Sequence, residues 1–175
     1  RKQASYRLML GTTADLATPL WDSGAVTSDA THLLRYAADA PPLASATKYY
    51  WRVRCTLDDG TVVASSAVAA SFVTGLLAPS DWKATWVAAA PTVDSPLFRK
   101  EFALPSGVGA TTPVTLMVAG IGYNEVWLNG AKLGDHKLGS GWTDFAKRVV
   151  YDTYDLTGAL AATNVLGVWL GNGWG

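Results

Sequence analysis

The clearest pattern in the chain is an alternation of side-chain character over Tyr123–Leu128. One face of this stretch carries Val126 and Leu128, and the opposite face carries Tyr123, Glu125 and Trp127. A period of two is typical of a β-strand with one buried face. The pattern therefore predicts a strand that packs its apolar face against a second sheet.

A tight turn follows this strand at Asn129-Gly130. Both residue types tolerate the positive φ angles that a two-residue hairpin turn requires. The chain then returns through Ala131–Leu133, so these residues predict a β-hairpin. Beyond the hairpin, Gly139–Phe145 predicts a loop that is rich in aromatic and polar groups.

The first segment, up to Gly75, contains several short stretches that are rich in apolar and aromatic residues. These predicted strands are Ser5–Leu10, His32–Tyr36, Tyr49–Thr56, Thr61–Ala64 and Ala67–Val73. Short strands separated by turn residues are typical of an immunoglobulin-like or fibronectin-type sandwich. Within such a fold, Trp51 is predicted to be the core aromatic residue.

A second set of strands follows a predicted linker at Thr74–Ser80, where Gly75 and Pro79 interrupt regular structure. In addition to the hairpin, its predicted strands are Asp81–Val87, Pro96–Phe102, Val114–Ala119, Arg148–Leu156 and Val165–Leu170. Long paired strands with many aromatic residues and no convincing helix favour a jelly-roll-type sandwich.

These patterns predict an all-β chain of two consecutive antiparallel β-sandwiches. The first, residues 1–76, is expected to be fibronectin III-like or immunoglobulin-like and to lack its N-terminal strands. The second, residues 77–175, is expected to be jelly-roll or galactose-binding-like and to lack its C-terminal end. The chain opens almost directly in a strand and stops just after Val165–Leu170, which would leave unpaired sheet edges. We therefore expect a fragment of a longer protein, and its cellular location stays unknown.

Composition narrows the function mainly by exclusion. Fourteen basic and fourteen acidic residues cancel, so no net charge favours nucleic acid or an anionic membrane surface as partner. No apolar run is long enough to cross a bilayer. The single cysteine, Cys55, is expected to be a small buried apolar residue. His32 and His136 lie far apart, and no pair of His, Cys or acidic residues has the spacing of a transition-metal site.

Several motifs, taken in order, carry a family resemblance. LWDSGAV, KYYWRVR, FVTGLL and DWKATWV are followed by GIGYNEVWLNGAKLGD, GWTDFAKRVVYDTYDLT and NVLGVWLGNGWG. The early motifs resemble the fibronectin-type domain, and the later ones the β-sandwich domain, of the N-terminal region of bacterial-type α-L-rhamnosidases, glycoside hydrolase family 78. WLNG alone also occurs in sandwich domains of β-galactosidase-like enzymes, whereas the ordered set is much more specific.

The resemblance implies a parent enzyme that removes terminal α-L-rhamnose with inversion, using acidic residues on an (α/α)6 barrel. No such helical repeat exists in this sequence, so no catalytic residue is assigned. The resemblance also implies a missing catalytic domain and a rhamnosylated carbohydrate as partners. Some relatives of the N-terminal sandwich bind rhamnose with calcium, which makes Ca²⁺ the one cofactor to consider.

Sugar binding is the chemistry that the composition permits. A sugar needs an aromatic plate for its CH face and polar side chains for its hydroxyl groups. Trp142 with Asp144, and Trp174 with Asn172, offer that pairing on glycine-flanked loops. The side-chain oxygen atoms of Asp144 and Asn172 are also suitable ligands for Ca²⁺. The structural alternative is that both tryptophans close the sandwich or pack on the missing catalytic domain.

Glycoside hydrolysis requires two carboxyl groups in a defined geometry. Glu101 and Glu125 lie on alternating strands and are expected on the solvated face, whereas Asp152 and Asp155 are expected to be structural. The first functional hypothesis is therefore an accessory, non-catalytic part of an α-L-rhamnosidase. The alternatives are an autonomous pair of carbohydrate-binding modules and a purely structural pair of sandwiches.

Overall fold

A computed structural model describes residues 1–64, 68–137 and 139–171 as an all-β protein. The chain divides into two compact units, Arg1–Ala84 and Thr85–Gly175. The one helical element among the described residues is a 3-10 turn at Pro79–Asp81. The described part of the chain therefore has no helix that is long and apolar enough to cross a membrane. The prediction of an all-β chain with antiparallel sheets is confirmed.

The first unit is a six-stranded antiparallel sheet. Its strands are β1 (Gln3–Gly11), β2 (Trp21–Asp22), β3 (Val26–Thr27), β4 (Lys48–Leu57), β5 (Val62–Ala64) and β6 (Ala70–Val73). The long strands β1 and β4 pair along their length at the centre; β2 and β3 extend the sheet beside β1, and β5 and β6 extend it beside β4. Among the described residues of this unit, the buried apolar ones are Leu10, Leu16, Tyr49 and Ala69.

Two expectations for this unit are wrong. Trp51 is 37% exposed, whereas Tyr49 on the same strand is 3% exposed and is the core aromatic residue. Tyr49 stacks on Phe72 of β6 with ring centroids 5.7 Å apart. This contact with Phe72 accounts for the burial of Tyr49 in preference to Trp51. The predicted strand at His32–Tyr36 is irregular chain, in which the Tyr36 hydroxyl group donates to the carbonyl oxygen of Pro41 at 2.7 Å.

The second unit contains a four-stranded and a two-stranded antiparallel sheet. Its strands are β7 (Leu97–Ala103), β8 (Thr115–Ala119), β9 (Tyr123–Leu128), β10 (Ala131–Lys132), β11 (Tyr151–Asp155) and β12 (Thr163–Gly171). The larger sheet has the order β10-β9-β12-β7, and β11 pairs with β8. The predicted strand at Asp81–Val87 does not form: the chain there is irregular after the 3-10 turn, and Trp86 is largely exposed.

The predicted hairpin is confirmed. Asn129 and Gly130 take positive φ angles of 51° and 85°, and Ala131 pairs with Leu128 across the turn. Val126 and Leu128 are 0% and 4% exposed. The alternation in the sequence therefore identifies the buried face of β9 correctly, because burial of that face is what the apolar positions stabilise.

The predicted linker is bound to the first unit. Thr74 Oγ1 donates to the carbonyl oxygen of Ala44 at 2.6 Å, and the amide of Leu77 donates to Ser45 Oγ at 2.8 Å. Ser45 Oγ in turn donates to the Asp81 carboxylate, which also accepts the amide of Ala78 at 3.1 Å. These bonds hold the segment up to Asp81 on the first unit, and a boundary between residues 76 and 77 stays a prediction.

Candidate functional site

The candidate loop begins at Gly139 and Ser140, which are fixed to two strands of the second unit. Gly139 forms an isolated bridge with Asn124 on β9. The amide of Ser140 donates to Asp152 Oδ2 on β11 at 2.7 Å, and Asn124 Nδ2 donates to Ser140 Oγ at 2.9 Å. The base of the loop is therefore held by the strands, and Asp152 has the structural role expected of it.

Asn124 lies in a space that two glycines leave open. It is 3% exposed. A Cβ atom on Gly120 would lie 2.6 Å from Asn124 Nδ2, and one on Gly139 would lie 2.7 Å from the Asn124 carbonyl oxygen. Both distances are far below a van der Waals contact, so side chains at these positions would displace Asn124. Sequence reasoning missed Asn124, because its place in the alternation is the same as that of any buried strand position.

Trp142 and Asp144 both lie on this loop, and their role as a sugar site stays a prediction. Trp142 is 66% exposed, which contradicts the idea that it closes the core of this unit. Asp144 organises the turn that follows: its Oδ1 accepts the amide of Ala146 at 3.2 Å, and its carbonyl oxygen accepts the amides of Lys147 and Arg148, both at 2.9 Å. The other two candidates, Asn172 and Trp174, lie outside the described residues.

The carboxylate of Asp144 is already engaged. Lys147 Nζ lies 2.9 Å from Asp144 Oδ2 in an exposed ion pair, and Oδ1 accepts an amide. Calcium takes six to eight oxygen ligands, whereas no group of three or more His, Cys, Asp or Glu side chains in the described ranges is arranged to hold a metal. Trp142 and Asp144 therefore do not fit a calcium site by themselves.

Two acidic residues of the larger sheet, Glu101 and Glu125, are paired with cations. Arg99 Nη2 lies 2.5 Å from Glu101 Oε1, and both side chains are more than half exposed. Glu125 pairs with Lys132 across the hairpin, with about a third of its side chain exposed. Both carboxylates are therefore engaged in local ion pairs. This geometry agrees with the expected solvated-face placement.

Two apolar depressions lie against the larger sheet of the second unit. One, of about 480 Å³, is lined by residues of the irregular segment after the first unit and by Phe98, Ile121 and Leu170, with Asn124 in its wall. The other, of about 340 Å³, lies on the opposite face of the larger sheet between Trp127 and Trp169. Sequence reasoning put Trp127 on the outer face but did not treat it as a site. The signal was present in VLGVWL, where Gly167 and Trp169 share a face.

Together, these features define an immunoglobulin-like β domain followed by a second β domain. Comparison with protein families gives the same division. Residues 1–78 match the family described as "Rha78A-like, N-terminal immunoglobulin domain". Residues 109–175 match the "Alpha-L-rhamnosidase N-terminal domain".

Individual relatives agree with these matches. An α-L-rhamnosidase of Formosa agariphila is 29% identical over 98% of this chain and 20% of its own length. One from Streptomyces avermitilis is 39% identical over 55% of this chain and 9% of its own length. The structure of the α-L-rhamnosidase from Dictyoglumus thermophilum superposes with a TM-score of 0.82 at 29% identity, covering 99% of this chain and 21% of that one.

A fungal structure extends the comparison. The native α-L-rhamnosidase from Aspergillus terreus gives a TM-score of 0.73 at 27% identity over 99% of this chain. The chain therefore consists of the N-terminal immunoglobulin-like domain and the N-terminal β domain of α-L-rhamnosidases. It spans about a fifth of the length of the relatives that it matches along its whole length.

Proposed function

We propose that this chain is the accessory, non-catalytic N-terminal region of a glycoside hydrolase that removes terminal α-L-rhamnose from glycosides or polysaccharides. The observation that carries the proposal is the ordered match of both domains to rhamnosidase N-terminal families. The superposition of 99% of this chain on two rhamnosidase structures supports it. In this role the chain supports the catalytic domain of the same protein and helps to hold the substrate.

The placement of the carboxylates supports a non-catalytic role. An inverting glycosidase needs two carboxyl groups that are free to reach the glycosidic oxygen and a water molecule. Glu101 and Glu125 each have a cation within ion-pair distance, and Asp152 and Asp155 accept backbone amides as structural caps. These four acidic groups are engaged in contacts that fix local structure.

Two measurements test this proposal. The purified 175-residue chain should release no phenol from an aryl α-L-rhamnoside, because the acid and base for hydrolysis lie elsewhere in the proposed protein. The longer protein should hydrolyse the same substrate, and removal of residues 1–175 should lower its activity or its melting temperature. Hydrolysis by the chain alone, or a truncated enzyme with unchanged activity and stability, would contradict the accessory role.

A second function, autonomous carbohydrate binding, is favoured by one observation: Trp142 is 66% exposed on the same loop as Asp144. Calorimetric titration of L-rhamnose, first with calcium and then with chelator, tests it. Trp142→Ala should abolish binding and leave the fold intact if the indole is a sugar plate. If the Trp142→Ala variant still binds L-rhamnose, the sugar site does not lie on this loop. If the unmodified chain binds L-rhamnose in neither buffer, the result favours a purely structural pair of domains.

A further inference from the structure

The larger sheet of the second unit ends on one side in a long strand with a free edge. β7 (Leu97–Ala103) pairs with β12, and no strand among the described residues lies on its other side. β12 is paired on both sides, with β7 and with β9, and β10 at the far end of the sheet has only two residues. The unpaired backbone groups at the edge of β7 therefore form the longest template for a further strand in this sheet.

The hydrogen bonds to β12 determine which backbone groups of β7 point to the free edge. The amide of Leu170 donates to the carbonyl oxygen of Pro96 at 3.0 Å, and the amide of Leu104 donates to that of Ala162 at 2.9 Å. Directly opposite residues of antiparallel strands alternate between hydrogen-bonded and non-hydrogen-bonded pairs, so the even-numbered positions of β7 bond to β12. The odd-numbered positions direct their amide and carbonyl groups outward, and these positions are Leu97, Arg99, Glu101 and Ala103.

The charges of β7 are complementary to those of a second, antiparallel copy of the same strand. When the two-fold axis passes through Lys100, Arg99 faces the partner's Glu101, and Glu101 faces the partner's Arg99. Opposite charges in directly facing positions stabilise a strand pair. Since both positions direct their backbone groups outward, the same facing residues also exchange backbone hydrogen bonds.

The apolar residues of β7 match in the same alignment. Phe98 faces the partner's Phe102 on one side of the sheet, and aromatic cross-strand pairs are stabilising. Leu97 faces the partner's Ala103 on the other side. Leu97 is 75% exposed in the single chain, so strand pairing would remove part of an apolar side chain from water.

Neighbouring alignments lack this match. A two-fold axis at Arg99 or at Glu101 keeps the outward backbone groups facing one another, but it sets two like charges directly opposite, which is destabilising. The axis at Lys100 also places one like pair, that of Lys100 with its own copy, against two attractive pairs. The present pair between Arg99 and Glu101 offers little resistance, because both side chains are more than half exposed and exposed ion pairs contribute little.

We propose that β7 is the interface of a two-fold symmetric dimer of this chain, in which two copies of the larger sheet join edge to edge. The second copy is the occupant of the edge because the charge pattern of β7 is complementary to its own reverse, as a two-fold interface requires. This surface contains no residue of the Trp142 loop, and the inference does not depend on the proposed function.

The test is sedimentation velocity of the whole chain over a series of concentrations. We expect a monomer–dimer equilibrium that Arg99→Glu and Glu101→Arg each weaken at least about tenfold, since symmetry turns two attractive pairs into two repulsive ones. An equimolar mixture of the two variants should dimerise again, because each acidic position of one chain then faces a basic position of the other. Lys137→Glu, at an exposed position outside β7, makes the same change in charge and should leave the equilibrium unchanged.

The mixture is the decisive arm, because a variant that merely misfolds is not rescued by the other variant. The proposal is overturned if the unmodified chain is monomeric at every concentration, which would leave the edge of β7 to a strand from the rest of the longer protein. It is equally overturned if a dimer forms that neither variant weakens, or if the mixture of the two variants stays monomeric.

Discussion

Asn129 and Asn164 join the hairpin turn to the central strand of the larger sheet. Asn129 Nδ2 donates to Asn164 Oδ1 at 3.0 Å, and Asn129 Oδ1 accepts the amide of Val165 at 2.8 Å. Asn164 also accepts the amide of Ala161 at 2.9 Å and donates to its carbonyl oxygen at 2.7 Å. Asn164 is 0% exposed, and both polar atoms of its side chain are satisfied.

Replacing Asn164 with alanine should destabilise the chain by about 3 kcal/mol. The substitution removes the three hydrogen bonds that the buried Asn164 side chain makes with Ala161 and with the side-chain amide of Asn129. Each such bond contributes about 0.5–1.5 kcal/mol net. Urea unfolding followed by far-UV circular dichroism measures this loss.

Asn129→Gly is the matched control, because glycine accepts the φ of 51° at this turn position and removes only the side-chain bonds of Asn129. It should cost about 1 kcal/mol, clearly less than Asn164→Ala. Equal costs for the two variants would mean that the turn, and not the buried asparagine, holds the strands together.

The loop that carries Trp142 should respond very differently to alanine at two neighbouring glycines. A Cβ atom at Gly139 would lie 2.7 Å from the carbonyl oxygen of Asn124, whereas one at Gly141 would meet nothing within 4 Å. Overpacking of this kind costs about 1–3 kcal/mol, so Gly139→Ala should lower the melting temperature and Gly141→Ala should leave it nearly unchanged. Similar melting temperatures for both variants would contradict the close approach of Gly139 to β9.

Acid should weaken the first unit through Asp22. Hydrogen bonds from Arg7 Nε, at 2.8 and 3.1 Å, hold the pKa of this carboxyl group below its usual value of 3.8. A lowered pKa in the folded state means that the stabilisation is fully present above 3.8 and is lost as the pH falls through the folded-state pKa.

The variant Asp22→Asn tests this by removing the charge and keeping the size. It should melt at a lower temperature than the unmodified chain at neutral pH, and the two melting temperatures should converge below the folded-state pKa, where Asp22 is neutral. A gap that stays constant from neutral to acid pH would show that packing, and not charge, accounts for the difference.

Local signals predicted much of this fold. The hairpin was recognisable because the alternation of β9 and the Asn129-Gly130 turn occupy consecutive residues. The sequence did not predict the burial of Tyr49 in preference to Trp51, because this burial depends on Phe72. Only the pairing of β4 with β6 brings Phe72 close to Tyr49. The strand predicted at Asp81–Val87 failed for a related reason: its apolar residues have no neighbouring strand to pair with among the described residues.

The same difference between local and long-range signals applies to the candidate sites. Trp142 and Asp144 were found because they are close in sequence and flanked by glycine. Trp127 and Trp169 are far apart in sequence, and only the register of β9 with β12 places them on either side of Gly167. A depression that is built by strand pairing therefore becomes visible only when the register is known.

The same register makes a prediction about stability. Valine at Gly167 should raise the free energy of unfolding by about 0.5–1 kcal/mol, because glycine inside a strand loses more conformational freedom on folding than other residues and has no side chain to pack. Its Cβ atom would lie 3.7 Å from the Cβ atom of Trp127, an ordinary contact. Urea unfolding of the whole chain measures the change.

Gly60→Val is the control for this effect, because Gly60 also has open space but a φ of +80°, where a β-branched residue is strained. It should destabilise the chain, while Gly167→Val stabilises it. If Gly167→Val is also destabilising, glycine there serves the packing of the sheet.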